Sequence, residues 1–300
     1  MPSRRAQPKG LLSRIVGGLF KAVFLALLLS IVWVVIYAVV PPPITFTQVA
    51  DLVDGRGVDK DWTPIEAIDR DMVRAAIAAE DGKFCTHNGF DTDAIAAAMI
   101  RNAQGGRIRG GSTISQQTAK NAFLWQGGGY FRKGLEAWFT LLIEQIWGKQ
   151  RIMEVYLNIA ETGIGTYGVE AGAQRYFKKS ASSLSRNEAA RIAAVLPLPK
   201  QREAIAPSGF TRRYGNSIAA RIPVVARDGL DACITGAAGA SAAEPKAAPK
   251  AKTPKAAPQP KAERIEDYID PADQVSPDEE MIVVDIPPPV TEPEPETNGM

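Results

Sequence analysis

Glu80-Asp81-Gly82-Lys83-Phe84-Cys85-Thr86-His87-Asn88-Gly89-Phe90-Asp91 is the stretch on which the reading of this chain turns. Upstream, Pro64 opens a pattern in which Ile65, Ile68, Met72, Ala76 and Ala79 recur at helical spacing, with Asp69 and Asp71 suited to an early turn. Gly82 breaks that pattern. Downstream, Asp91 is a good N-cap for a second helix to Asn102, with Ile95, Ala98 and Met99 along one face and Gln104-Gly105-Gly106 as its end. Two carboxylates therefore stand at the C-terminal end of a helix beside a short turn. A carboxylate there faces the negative end of the helix dipole, and burial penalises its charge further. Glu80 is thus expected to hold its proton more tightly than an ordinary glutamate, which suits a base working near neutral pH. The alternative is a pair of solvated helix-end charges without chemistry.

Further on, the basic turn Arg107-Ile108-Arg109 leads into Gly110-Gly111-Ser112-Thr113-Ile114-Ser115-Gln116-Gln117-Thr118-Ala119-Lys120-Asn121. Thr113 with Gln116 fits a capping box, so the glycines meet a helix start, with Gln116, Gln117 and Lys120 on one side. Two readings stand: a phosphate site, or an ordinary capped helix with a polar face. No G-x-x-x-x-G-K-[ST] pattern supports nucleotide binding. After the glycine-rich break Trp125–Tyr130, Phe131–Trp147 reads as an apolar helix with a stripe of Leu135, Trp138, Phe139, Leu142 and Ile146. Arg132, Lys133 and Glu136 share its other face, where a plain surface ion pair is the alternative to function. Lys149–Ala160 is a further helix, Gly163, Gly165 and Gly168 a loop, and Val169–Phe177 helical again. Ser185 and Glu188 cap a helix to Leu196, stopped by Pro197 and Pro199, and a last helical stretch lies near Phe210–Ile222. No strand-like alternation of useful length occurs, so the fold class is mainly α.

The ends differ in kind. Residues 1–21 are a basic segment with Arg4, Arg5, Lys9, Arg14 and Lys21, and residues 22–40 an unbroken apolar run closed by Pro41-Pro42-Pro43. That run is long enough to cross a bilayer core of about 30 Å, exceeds a typical signal-peptide core and lacks a small-x-small cleavage site, so it reads as a retained transmembrane helix. The flanking basic residues place the N-terminus in the cytoplasm and the rest outside. Residues 41–62 read as a connector, 63–235 as the globular domain, and 236–300 as an Ala/Pro/Lys-rich then acidic tail expected to be disordered. A formal charge of +2 gives no bulk argument for nucleic acid. One histidine and two cysteines, Cys85 and Cys233, cannot build a Cys/His zinc site, and no G-x-S-x-G elbow accompanies His87. In an oxidising compartment the two cysteines could pair, but nothing in their separation argues for it, and unpaired burial is the expectation for Cys85.

Four motifs in order then carry a resemblance: Glu80-Asp81-x-x-Phe84-x-x-His87-x-Gly89-Phe90-Asp91, Gly110-Gly111-Ser112-Thr113-Ile114-Ser115-Gln116-Gln117-x-x-Lys120-Asn121, Arg132-Lys133-x-x-Glu136 and Glu154-x-Tyr156-Leu157-Asn158. Over roughly residues 63–221 the chain closely resembles the peptidoglycan glycosyltransferases, the glycan-making domain of class A penicillin-binding proteins. With no Ser-x-x-Lys and Lys-Thr-Gly pair after Pro197, it looks like the monofunctional members. The resemblance implies a lysozyme-like, two-lobed, mainly α domain behind a single membrane helix, in the bacterial inner membrane with the catalytic domain periplasmic. It implies polymerisation of lipid II with Glu80 as base on the acceptor 4-hydroxyl and Glu136 as the second catalytic carboxylate. Ser112, Gln116, Gln117, Lys120, Asn121, Arg132 and Lys133 would bind substrate, and Asp81, Phe84, His87 and Gly89 would support the loop. Lipid II, the growing glycan lipid and the membrane are the implied partners, with division or elongation proteins as further ones. No cofactor is required; Mg2+ or Mn2+ could act through the pyrophosphate, with no dedicated protein ligands. The rivals are a lysozyme-like lytic muramidase and a non-catalytic, membrane-tethered scaffold that binds wall precursors. One departure stands out: Gly128 occupies a place where the family often has arginine, with Arg107, Arg109 and Arg132 as candidate compensating cations. Trp125, Phe131, Trp138, Phe139 and Trp147 are candidates for a membrane-apposed surface, with burial in the core the alternative for each.

Overall fold

The computed structural model describes residues 11–103 and 111–236; the Arg107–Arg109 turn and the tail beyond Gly236 lie outside them. The chain opens with α1 (Leu11–Val39), a 29-residue helix whose flank is exposed and apolar and which is long and apolar enough to cross a membrane. At 1.5 Å per residue it measures about 43 Å, more than the roughly 30 Å hydrocarbon core. It begins earlier than residue 22, taking Arg14 and Lys21 into the helix. Its last turns belong to the domain. Val34 and Tyr37 are buried there, and Trp33 meets Phe123 edge-on at 5.3 Å.

The connector holds a helix that the sequence reading missed, α2 (Phe46–Val53), started by a reciprocal capping box between Thr45 and Gln48. Its polarity is inverted: Gln48 and Asp51 are buried, while Phe46, Val49, Leu52 and Val53 are exposed. α3 (Arg70–Glu80) starts where Asp69 accepts the Asp71 N–H at 2.8 Å and packs against α9 (Arg186–Val195) and α10 (Gly209–Arg227). The facing positions are small: Ala75, Ala76, Ala189, Ala190, Ala193 and Ala194 are buried to within 1% of fully. Small residues let helix backbones approach closely, which holds the end of α3 firmly. α10 runs through Pro223 to Arg227, beyond the expected Ile222, because a proline removes one ladder bond without ending a helix that is packed on its neighbours.

α5 (Ile114–Phe123) packs between α6 (Gly129–Ile146) and α7 (Lys149–Ile159), with Phe123 stacked on Phe139 at 4.6 Å. α4 (Thr92–Ala103) begins where Asp91 accepts the Ala94 N–H at 3.0 Å, and α8 (Val169–Phe177) follows a small sheet. That sheet was not expected. β1 (Asp59–Lys60) pairs in parallel with β3 (Thr166–Tyr167), and β2 (Glu161–Gly163) pairs antiparallel to β3, so the glycine-rich stretch 163–168 is a hairpin as well as a loop. Gly168 has φ +84°, and a Cβ there would sit 2.7 Å from the Asn158 carbonyl oxygen, so only glycine fits that approach.

A disulfide joins Cys85 to Cys233, correcting the expectation of an unpaired Cys85. The C-terminal turn α11 (Ala232–Thr235) folds back against α7 and brings the two Cα atoms to 5.5 Å, within bridging reach although the residues are 148 apart in sequence. Of the aromatic residues considered for membrane contact, Phe139 and Trp147 are core, and half-buried Trp138 donates its indole N–H to Ser30 Oγ at 3.0 Å. Trp125 and Phe131 remain exposed.

Candidate active site

The end of α3 delivers Glu80 to a cleft of about 550 Å3 that Ser112, Gln116, Gln117, Lys120, Asn121 and Glu136 also line. Six residues singled out for substrate contact or catalysis thus meet around the seventh. Glu80 is half-buried, and its Oε2 accepts a hydrogen bond from Gln117 Nε2 at 2.8 Å. Tyr156, fully buried beneath, directs its hydroxyl to Gln117 Oε1 at 3.4 Å and so orients the amide. Burial pushes the Glu80 carboxyl above its ordinary range; the Gln117 hydrogen bond and the charges of Arg202 and Lys120 pull the other way, while neighbouring Asp81 adds to the rise. The net direction agrees with the sequence argument. The dominant cause is desolvation.

Asp81 turns away from the cleft. Its carboxylate is buried, accepts the Ile114 N–H at the start of α5 at 3.0 Å, and meets His87 Nε2 at 3.0 Å. His87 Nδ1 accepts the Gly89 N–H at 3.1 Å, so the ring proton on Nε2 is the one donated to Asp81. Gly89 sits at φ +92° with no room for a Cβ, which would lie 2.7 Å from Thr140 Cγ2, and its carbonyl accepts the Thr113 hydroxyl at 2.6 Å. Phe84 is fully buried, with the Lys149 ammonium 4.6 Å over its ring. The four residues named as supports therefore form one frame that clamps the end of α3 to the start of α5, and hence Glu80 to Gln117.

The cations are organised from α6. Glu136 is 3% exposed and receives Arg132 Nη1 at 2.7 Å and Lys133 Nζ at 2.5 Å, so a buried carboxylate holds two half-buried cations and this is not a solvated surface pair. Lys133 also lies 3.5 Å from Ser112 Oγ. The Arg132 guanidinium additionally reaches the Gly127 carbonyl. Gly128 caps α6 at φ +89°, and a Cβ there would stand 2.8 Å from Trp125 Nε1 and 3.0 Å from Arg132 Cβ. The loop is thus built for glycine, and Arg132 folds back over it. Arg107 and Arg109 lie outside the described residues.

The cleft also holds residues that the motifs did not single out: Thr47 on α2, Gln126, Glu161, Tyr167, Lys200 and Gln201. Asp51, fully buried on α2, accepts the Tyr167 hydroxyl at 2.7 Å, Arg56 Nε at 2.8 Å and Lys200 Nζ at 3.0 Å. Burial alone would raise its pKa, but those three donors outweigh that and hold it below the ordinary aspartate value. Glu161 has only the more distant Lys200 ammonium, 3.8 Å from its Oε1, and burial outweighs that cation and pushes its carboxyl up to about 7. The T-x-x-Q box at Thr45–Gln48 was a readable signal for α2. The positions of Glu161 and Lys200 had none, because Glu161 enters the cleft from the short strand β2 directly after α7 and Lys200 from the turn after α9.

Among the described residues no cluster of three or more His, Cys, Asp or Glu side chains could cage a metal ion, so the residues present do not make a divalent-cation site of their own.

A mainly helical domain behind one helix long and apolar enough to cross a membrane, with a half-buried carboxylate and Lys120 sharing a cleft, fits a glycosyltransferase in class. The comparisons carry this to a family. The family model described as Transglycosylase matches residues 47–222. A biosynthetic peptidoglycan transglycosylase of Caulobacter vibrioides is 50% identical over 222 residues, 74% of this chain and 97% of that protein. One from Rhodospirillum centenum is 50% identical over 208 residues, 69% and 90% of the two chains, and one from Pseudomonas syringae is 52% identical over 180 residues, 58% and 76%. The chain belongs to the transglycosylase family.

Proposed function

We propose that this enzyme polymerises peptidoglycan glycan strands from lipid II, with Glu80 as the general base. The observation that carries this reading is a carboxylate of raised pKa, fixed by Gln117 and sharing a cleft with Lys120 and with Glu136, which in turn holds Arg132 and Lys133. In the reaction, Glu80 takes the proton from the acceptor 4-hydroxyl as that oxygen attacks C1 of the donor sugar. The bond from C1 to the lipid pyrophosphate breaks, and its electron pair leaves with the pyrophosphate. Attack from the face opposite the α-linked leaving group yields a β-linked product, so one base suffices and no covalent enzyme intermediate forms. Pyrophosphate leaves readily when its charge is met, which is the role assigned to Lys120, Arg132 and Lys133. Glu136 touches the last two and acts through them, holding both cations in register for the pyrophosphate. Ser112, Gln116, Gln117 and Asn121 line the donor end. Asp81, Phe84, His87 and Gly89 keep the base in place. No step requires a protein-held metal ion.

The same reading places the domain on the outer face of the bacterial inner membrane. Basic residues precede α1, and the Cys85–Cys233 disulfide on its far side fits an oxidising compartment, two independent supports for one orientation. Exposed Trp125, Tyr130 and Phe131, with the outer face of α2 alongside, supply a surface for the lipid headgroup region.

The test is polymerisation of lipid II by the full chain in detergent or lipid. Glycan strands should form with the wild type and fall at least a thousandfold with Glu80→Gln, whose fold is kept. Strand synthesis at near wild-type rate by that variant would remove Glu80 from the chemistry.

A further inference from the structure

Glu161 is a carboxylate in the cleft that the proposed chemistry does not use. It stands at the first position of β2, immediately after α7, and lines the same cleft as Glu80. Its Oε1 is a buried atom with no hydrogen-bond donor in the protein. The cations nearby are engaged elsewhere. Lys200 Nζ hydrogen-bonds Asp51 at 3.0 Å and stays 3.8 Å from Glu161 Oε1, beyond hydrogen-bond distance. Arg56 pairs with Asp51 and Asp54. The Tyr167 hydroxyl, on the strand paired with β2, also goes to Asp51. The donors of Tyr167, Arg56 and Lys200 all go to Asp51, Lys200 standing off as a longer ion pair, and Glu161, which lines the ligand-sized cleft, is left with an unmet acceptor. Buried acceptors in native proteins are almost always satisfied, so a donor from outside the protein is the expected partner.

We infer that Glu161 contacts the sugar of the lipid-linked substrate, accepting a hydrogen bond from one of its hydroxyl or acetamido N–H groups and so contributing to recognition of the amino sugar. The inference rests on the assignment of lipid II as substrate made above. It concerns binding, leaves proton transfer with Glu80, and gives the Asp51–Tyr167–Arg56–Lys200 network a purpose: by engaging those three donors, Asp51 leaves Glu161 for the ligand.

The experiment uses the full chain carrying Glu80→Gln, so that ligands bind without turning over, and two probes: lipid II, and undecaprenyl pyrophosphate, which has the lipid and the pyrophosphate but no sugar. Adding Glu161→Ala should weaken lipid II binding about tenfold, the scale of one hydrogen bond to a charged acceptor, and leave undecaprenyl pyrophosphate within about twofold. Glu161→Gln, which keeps an acceptor oxygen in place, should recover most of the loss. With active enzyme, Glu161→Ala should raise KM and spare kcat. The charged groups facing Glu161 are Lys200, Asp51 and Arg56, and its carboxyl titrates near 7. The wild-type KM should therefore climb as pH falls below about 7, and Glu161→Gln should abolish that limb. Unchanged lipid II affinity in Glu161→Ala overturns the inference, as does equal weakening of both probes, which would mean a distorted cleft. If the Glu80→Gln parent binds undecaprenyl pyrophosphate but not lipid II, the substrate assignment itself fails; if it binds both and Glu161→Ala is silent, only the role of Glu161 falls.

Discussion

Reducing or deleting the Cys85–Cys233 bridge should cost this domain about as much as its costliest single core substitutions, and the cost should appear in catalysis as well as in stability. The bridge closes a loop of 148 residues. A cross-link of that span removes roughly 17 cal/mol/K of loop entropy from the unfolded chain, about 5 kcal/mol at 25 °C, with 2–5 kcal/mol the range usually realised. In a domain of this size each kcal/mol moves Tm by about 2–4 °C, so a fall of about 10 °C is expected. Cys85 lies between Glu80 and His87 and directly follows fully buried Phe84, so the released end is the frame that holds the base. The perturbation is Cys85→Ser with Cys233→Ser, which avoids a lone reactive thiol, alongside wild type with and without reductant. Thermal unfolding at fixed scan rate and lipid II polymerisation below Tm are the readouts. Polymerisation should drop severalfold at a temperature where the variant is still folded. A Tm within about 2 °C of wild type would refute the entropic argument. A lowered Tm with an unchanged rate would refute the claim that the bridge steadies the base.

Glu80 gives a prediction with a definite sign. Its folded-state pKa lies above that of an unfolded glutamate, so the folded protein holds this proton more tightly and loses stability as pH rises from the ordinary glutamate value to the raised one. Glu80→Gln should therefore unfold at a higher temperature than wild type at pH 8 and at the same temperature near pH 4, while the wild-type polymerisation rate rises with pH through the same window; a variant less stable at both pH values would contradict the desolvation account. Glu136→Gln leaves one neutral acceptor oxygen for one of Arg132 and Lys133 and turns an NH2 donor on the other cation, and should cost about 1–3 kcal/mol of stability and at least tenfold in polymerisation; a wild-type rate would exclude a positioning role. Gly128→Arg, which restores the residue common in the family, should lose about 1–2 kcal/mol in thermal unfolding and gain no affinity for undecaprenyl pyrophosphate, because φ +89° and the contacts at Trp125 and Arg132 do not admit a side chain.

What could be read from the sequence was what local chemistry specifies. The boxes at Thr113–Gln116 and Ser185–Glu188 set the starts of α5 and α9, because a side-chain oxygen there meets an otherwise orphaned N–H, whereas α3 starts at Arg70 behind Asp69 and not at Pro64, where its pattern was expected to open. α2 carried the same kind of box and was still taken for connector, since its apolar residues face outward and its polar residues inward, the reverse of the pattern that marks a domain helix. β1 and β3, at two residues each, are too short for a two-residue alternation to be legible. Glu80, Gln117 and Lys120 were found because their motifs are contiguous. Tyr156 was quoted only as part of a motif and a helix face, while its role is to orient Gln117; Glu161 and Lys200 reach the site by long-range packing of α7 and α9, which no local signal encodes.

The anchor is where those two kinds of information meet. The apolar run alone describes a tether, which would let the domain tumble above the bilayer and gain only in effective concentration. The contacts describe something stiffer. Trp147 donates its indole N–H to the Val34 carbonyl at 2.9 Å, Trp138 reaches Ser30, and Arg151 bonds the carbonyls of Tyr37 and Val40 at 2.9 and 3.0 Å. The Tyr37 carbonyl, in the last turn of α1 where carbonyls lack partners within the helix, and the Val40 carbonyl just beyond it are thus met by the Arg151 side chain. Tyr37 stacks on Phe123, the last residue of α5, the helix that also carries Gln117 and Lys120 into the cleft. Membrane helix and cleft are therefore joined through one packed aromatic cluster. A lipid-borne substrate presents its pyrophosphate at a height fixed by the bilayer surface. On the proposed reading Lys120 binds that group and gains from being held at the same height, and the docking of α1 on α5 and α6 is the feature of the fold that sets it.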